Sequence, residues 1–223
     1  MNQIQIPLLF QNQTLSAKVT ALVNLSSGPS RGIHMSRIYS LLVSNLANQT
    51  VSNSMLVDLV QKMVDSQTGL SDQAQLSIQF DLPLTRLSLK SELLGHRIYP
   101  VQIQVETNGN KISLRNNFEV LYSSTCPAST ALSLEIWKEA QPRENSKNWL
   151  AALTPMPVKR VDEQEFARLN GQNPMFCEDA ARIIQKWLDS ESDVLGYQAS
   201  FEHQESLHSH NAFAQIEKKR PIG

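Results

Sequence analysis

The residues best suited to chemistry gather near the C-terminal end, where His203, His208 and His210, three of the five histidines, fall within Phe201 to His210. A strand through His208 and His210 would put both imidazoles on one face, with Glu205 in the turn before them. Such a group suits metal ligation or proton transfer, although an exposed polar strand end looks the same. Cys126 stands in Ser123-Ser124-Thr125-Cys126-Pro127, where a strand is expected to give way to a helix. Amides at a helix N-terminus lower a thiol pKa and favour the thiolate that a metal or a nucleophilic attack needs. The alternative for Cys126 is a small buried hydrophobe. Glu178 follows Asn173-Pro174 on an expected helix, where a solvated carboxylate is the commoner role, and Cys177 beside it belongs to the core. Arg31, His34 and Arg37 set two guanidinium groups and an imidazole around a helix start. That combination can hold phosphates, and because cations there oppose the helix dipole, it asks for a reason.

These groups need elements to position them, and hydrophobic periodicity supplies the expectation. Ile4 and Ile6 begin a strand, and Leu15, Ala17, Val19, Ala21, Val23 and Leu25 alternate into its partner. Ile38, Leu41, Leu42 and Leu46, then Leu56, Leu59, Val60, Met63 and Val64, recur at the spacing of two amphipathic helices. Ala74, Leu76, Ile78, Phe80 and Leu82 alternate again, with a partner strand expected over Arg86 to Leu89. The second half reads the same way. Val101, Ile103 and Val105 lead into Asn108-Gly109, a hairpin signal, and Ile112 to Tyr122 form the return strand. Ala131, Leu132, Leu134, Ile136 and Trp137 suggest a helix after Pro127, and residues from Gln141 to Phe166 an irregular insertion. Asn173-Pro174 starts a second helix, with Asn173 as its N-cap and Phe176, Ala180, Ile183, Ile184, Trp187 and Leu188 along it. Tyr197 to His203 and His208 to Ile216 alternate as strands. The expected fold class is α+β, two tandem β-β-α-α-β-β units at 1–92 and 93–223, with antiparallel sheets and helices on one face. Unpaired edge strands in such sheets are a physical reason to expect assembly into a closed ring.

Bulk composition narrows the classes. A chain of 223 residues with 41% hydrophobic and 18% charged residues is an ordinary globular protein. Its net charge of -1 and thinly spread basic residues, apart from Lys218, Lys219 and Arg220, argue against nucleic acid as a partner. No apolar run reaches the roughly 18 residues of a membrane span, and the N-terminus lacks a basic-then-apolar signal pattern, so a cytoplasmic location is expected. Two cysteines make no disulfide framework.

Taken together, RGIHMSR, YSSTCP, NPMFCEDAAR and FEHQESLHSHNAFA resemble the motif series of the type IB GTP cyclohydrolases, in the same order and over about Gln5 to Ile216. The resemblance implies the tunnelling fold, a bimodular subunit built as two β-β-α-α-β-β repeats, and a homotetramer with active sites between subunits. It implies hydrolysis of GTP to dihydroneopterin triphosphate and formate, the entry step to folate and, in many bacteria, to queuosine. Carried over by position, Cys126 matches a cysteine ligand and Glu178 a carboxylate ligand of a divalent metal, whether manganese, zinc or iron(II). His208 and His210 match active-site histidines and Glu205 the glutamate of the same pattern, a candidate for guanine binding. Arg31, His34 and Arg37 become candidates for the triphosphate. The chain departs from the pattern at Ala128, where a second cysteine is frequent, and in having no histidine between Cys126 and Glu178, where the family places a ligand. Met156 lies in that region and is a poor substitute for imidazole, which leaves His208 or His210 to complete the set. The alternative is a non-catalytic tunnelling-fold protein that binds a purine or pterin. A third reading, the nitrile reductase of queuosine synthesis, fits the His208 and His210 pair less well.

Overall fold

A computed structural model describes residues 1–10, 12–26, 32–108, 111–122, 130–138, 158–172, 175–192, 194–204 and 209–219. The elements run β1 Ile4–Phe10, β2 Gln13–Val23, α1 Met35–Leu46, α2 Asn53–Asp65, β3 Gln73–Leu87, β4 Leu94–Asn108, β5 Lys111–Tyr122, β6 Thr130–Lys138, α3 Arg160–Gln172, α4 Cys177–Ser190, β7 Val194–His203 and β8 Ala212–Lys218. This is an α+β fold with antiparallel strands and four helices among the described residues. The chain divides into two compact units, one built chiefly on Met1–Asp81 and Pro100–Asn116, the other chiefly on Leu82–Tyr99 and Glu144–Gly223.

In the first unit β2 pairs antiparallel with β1 and β3, in a register that sets Ile6 opposite Ala17, Ala17 opposite Phe80, Val19 opposite Ile78 and Ala21 opposite Leu76. All of these side chains are buried, because period-two alternation puts every one on the same face. On α1 the buried residues are Ile38, Leu42 and Leu46, and on α2 Leu56, Leu59, Val60 and Met63, the stripes that their spacing predicts. Ser52 caps α2 by accepting a hydrogen bond from the Met55 N–H at 3.3 Å. In the second unit β7 pairs antiparallel with β8, with Phe201 opposite Ala214 and His203 opposite Ala212, and α4 packs on both strands. Its buried side chains Cys177, Ala180, Ala181 and Leu188 share a core with Tyr99, Tyr197, Ala199 and Phe201.

Several sequence expectations need correction. The stretch from Ala131 to Trp137 is not a helix but strand β6, and Leu132, Leu134 and Ile136 do alternate with Ser133, Glu135 and Trp137. With strand β6 from Thr130 in place of the expected helix, that helix no longer supports the argument for activating the Cys126 thiol. Arg86 and Leu87 belong to the end of β3 rather than to a separate strand, and the next strand begins at Leu94. The segment expected to be irregular holds the start of α3 at Arg160, while 139–157 lie outside the described residues. Helix α4 starts at Cys177 with Phe176 as N-cap, later than Asn173-Pro174 suggested, because the Asp179 carboxylate accepts the Phe176 N–H at 3.2 Å and closes the helix start there. The last strand begins at Ala212, so His210 precedes it and the shared-face argument for His208 and His210 does not apply to β8.

Candidate active site

Of the candidate residues, His34, Arg37, Glu178 and His210 are described, whereas Arg31, Cys126, Glu205 and His208 lie outside the described residues. His34 and Arg37 belong to the first unit, Glu178 and His210 to the second.

The start of α1 is held by Gln67, a fully buried residue just beyond α2. The His34 N–H donates to Gln67 Oε1 at 2.7 Å, and Gln67 Nε2 donates to the His34 carbonyl at 3.2 Å and to Ser66 Oγ at 2.9 Å. His34 is the N-cap of α1 but caps it with no side-chain bond, which leaves its exposed imidazole available to solvent. Arg37, exposed on the first turn, donates from its Nη1 to the Ser66 carbonyl at 3.1 Å. The Arg37 guanidinium at a helix N-terminus is unfavourable toward the dipole. The Ser66 carbonyl is what holds it there. A groove of about 600 Å³ runs between α1 and α2 beside Arg37, with Ser36, Ser40, Ser44, Lys62 and Asp65 along it.

In the second unit Glu178 is exposed on the first turn of α4, next to buried Cys177. The Cys177 thiol donates to Glu178 Oε2 at 3.3 Å. Glu178's own backbone N–H and the Cys177 thiol hold the Glu178 carboxyl below its usual range, so it is ionised near neutral pH. Burial, reinforced by the Glu178 carboxylate, pushes the Cys177 thiol up, so this cysteine is a protonated core residue rather than a nucleophile. His210 is exposed ahead of β8, and Asn211 donates to Glu202 Oε1 at 2.6 Å across the β7–β8 connection. His203 is buried on the core-facing side of β7.

Asp162 and Gln67 organise the units around these candidates, and periodicity singles out neither. Fully buried on the first turn of α3, Asp162 accepts the Lys90 N–H at 2.9 Å, the Ser91 N–H at 2.8 Å, the Ser91 hydroxyl at 2.6 Å and the Lys159 N–H at 2.8 Å. Burial alone would raise its pKa, but the bonds from Ser91, Lys90 and Lys159 outweigh it and hold the carboxyl far below the usual carboxylate range. Asp162 thereby ties the turn between β3 and β4 to the start of α3. The available signal was Asp162-Glu163 following Lys159-Arg160, the acidic first turn of a helix.

Comparison with known proteins identifies the chain these features belong to. A family model described as type I GTP cyclohydrolase folE2 matches residues 1–146 and 135–214. The GTP cyclohydrolase FolE2 of Bdellovibrio bacteriovorus is 35% identical, covering 98% of this chain and 90% of that protein. That of Pseudoalteromonas translucida is 33% identical over 96% of this chain and 89% of its own length. The chain belongs to the type I GTP cyclohydrolase FolE2 family. As a member of that family it is a GTP cyclohydrolase, a hydrolase. Solved structures with the same fold include uricase from Arthrobacter globiformis, at a TM-score of 0.60, 7% identity and coverage of 100% of this chain and 93% of that one. At that identity the likeness to uricase, a tunnelling-fold protein, concerns the fold alone.

This FolE2 chain is shorter than the relatives it aligns with over nearly its whole length. The alignment with the Bdellovibrio protein runs over 272 residues yet takes in 98% of a chain of 223, so about fifty aligned positions face no residue here. The two matched segments overlap at residues 135–146, from the end of β6 into the stretch before α3. The interval from Cys126 to Glu178, which carries no histidine, contains that junction.

Proposed function

We propose that this chain hydrolyses GTP to dihydroneopterin triphosphate and formate with the help of a divalent metal ion, manganese, zinc or iron(II). The observation that carries the reading is Glu178, an ionised carboxylate on an exposed helix turn within NPMFCEDAAR, in a chain that matches the family along nearly all of its length. No three His, Cys, Asp or Glu side chains gather among the described residues to hold a metal. The donor chemistry of the chain nevertheless fits one: an ionised carboxylate at Glu178, a thiolate at Cys126 and an imidazole from His208 or His210 are the ligand types of a borderline divalent ion. When bound, such an ion supplies Lewis acidity that makes water nucleophilic near neutral pH.

The side chains do the rest. His208 and His210 move protons to and from the guanine imidazole ring as it opens. Glu205 accepts hydrogen bonds from the guanine N–H edge. Arg31, His34 and Arg37 hold the triphosphate, which gives the cations at the start of α1 the reason that the helix dipole denies them. The subunit is read as two β-β-α-α-β-β repeats at 1–92 and 93–223, assembled as a homotetramer in the cytoplasm, with folate or queuosine synthesis as the destination and neither nucleic acid nor membrane as a partner. Among the described residues no helix is long and apolar enough to cross a membrane.

The test is formate release from GTP by protein stripped of metal and resupplied with manganese, zinc or iron(II), with Cys126→Ala alongside. Activity that returns with metal and is lost in the variant supports the reading. A folded oligomer that releases no formate with any of the three ions would instead place this shortened chain among non-catalytic purine or pterin binders.

A further inference from the structure

In the second unit the direction of α4 decides what stands near Glu178. Asp189, in the last turn of α4, accepts the Tyr197 hydroxyl at 3.1 Å and Lys218 Nζ at 3.2 Å, which pins the end of the helix beside the first half of β7 and the end of β8. The helix packs on both strands, and the chain passes from Ser190 to Val194 within a short connection, so α4 and β7 run in opposite directions. From Asp189 back to Glu178 the helix rises about 16 Å, the length of about five strand residues counted from Tyr197. That brings Glu178 level with the last turn of chain before His203, where Glu202 of β7 stands opposite Phe213 of β8. Glu178, His210 and Phe213 thus gather at one end of the unit, Glu178 on the helix side of the sheet and His210 in the connection between the strands.

Phe213 is 59% exposed, on the side of the sheet away from α4. Ala212, Ala214 and Ile216 pack against the core, so alternation sends Phe213 to the other side, with Gln215 of β8 and Ser200 and Glu202 of β7. Among these side chains only Phe213 is apolar. An exposed apolar residue alone signifies little, and the place of Phe213 is what singles it out. It follows His210 within about 11 Å of chain. Asn211 donates to Glu202 Oε1 at 2.6 Å, which fastens the start of β8 to the end of β7 and fixes Phe213 relative to the residues before it. Guanine is a flat bicycle whose five-membered ring is the part that opens. With that ring at His210, its six-membered ring extends toward Phe213, and a phenyl face complements the face of a purine. We propose that Phe213 is the surface on which the guanine base of GTP stacks. This rests on the reading of His210 as an active-site residue, and it leaves Glu205 with the N–H edge and the start of α1 with the triphosphate.

The experiment measures GTP binding to the full-length protein by titration calorimetry, with metal stripped to keep GTP intact and inorganic tripolyphosphate as the probe that has no base. Stacking predicts that Phe213→Ala weakens GTP at least about fivefold and leaves tripolyphosphate unchanged. Phe213→Leu, which keeps the apolar bulk and loses the ring, should weaken GTP in the same sense, and Phe213→Tyr should bind it as the wild type does. In Phe213→Trp, GTP should quench fluorescence beyond any change in the wild type, and tripolyphosphate should not. Because Phe213 is exposed, every variant should keep the wild-type sedimentation coefficient. Unchanged GTP affinity in Phe213→Ala and Phe213→Leu, an equal loss of tripolyphosphate, or a lower sedimentation coefficient, which would make Phe213 a contact between copies of the chain, would each overturn the proposal. The underlying reading fails separately: a wild type that binds no GTP, or formate release by the metal-resupplied protein that survives His210→Ala, removes the site and the stack with it. With GTP bound by the wild type and His210→Ala inactive, equal affinity in the Phe213 variants defeats the stack alone.

Discussion

Replacing Gln67 by Met tests whether the amide holding α1 also holds the substrate. The change keeps most of the volume of a fully buried side chain and removes its bonds to the His34 N–H at 2.7 Å and the His34 carbonyl at 3.2 Å. A typical neutral hydrogen bond is worth about 0.5–1.5 kcal/mol net, and exposed His34 lets water take over part of both, so the expected loss is about 1–2 kcal/mol. For a chain of this size each kcal/mol shifts the melting temperature by roughly 2–4 °C, which predicts a fall of roughly 2–8 °C by calorimetry. Arg37 bonds the carbonyl of the preceding Ser66, so a loosened helix start also frees two of the three candidate triphosphate ligands, His34 and Arg37. The KM for GTP should therefore rise while kcat changes little, the signature of lost binding that is equal in ground and transition states. Gln67→Glu sharpens the test, since its carboxylate accepts from the His34 N–H but is buried and repels the His34 carbonyl, so at neutral pH it should melt no higher than Gln67→Met. A melting temperature and a KM that both stay at the wild-type value would refute the reasoning.

Three further outcomes can be checked. Asp162→Asn should lower the melting temperature at neutral pH, because the amide cannot accept from all of the Ser91, Lys90 and Lys159 donors. With the folded pKa of Asp162 depressed, its stabilisation is complete above the unfolded value of about 3.9 and is lost as pH falls below it, so acid unfolding curves of wild type and variant should converge at low pH. Glu178→Gln should cut the metal content measured by mass spectrometry after reconstitution without a comparable loss of melting temperature, since Glu178 is exposed; retained full metal content would take Glu178 out of the ligand set. Leu59→Ala, a truncation of a fully buried helix residue, should destabilise the protein by about 2–5 kcal/mol in chemical denaturation.

Local periodicity by itself determined β2, α1, α2 and most of β3. Leu15 to Ala21, the stripes from Ile38 to Met63 and Ala74 to Leu82 are buried where alternation or helical spacing puts them, because an element with one apolar face has one favourable way to lie. The order of four short motifs likewise sufficed to identify the family. Residues 131–137 show the limit, since their apolar positions satisfy strand and helix templates together and local spacing cannot choose between them. Helix α3 was hidden because its strongest anchor is the Asp162 carboxylate, held by backbone donors of Lys90 and Ser91 some seventy positions away. Gln67 and Arg97 are ordinary polar residues in sequence. Only the tertiary structure decided that one closes its bonds on a helix start while the other is left with a buried donor unfilled, because burial turns a polar group into an obligation that water otherwise meets.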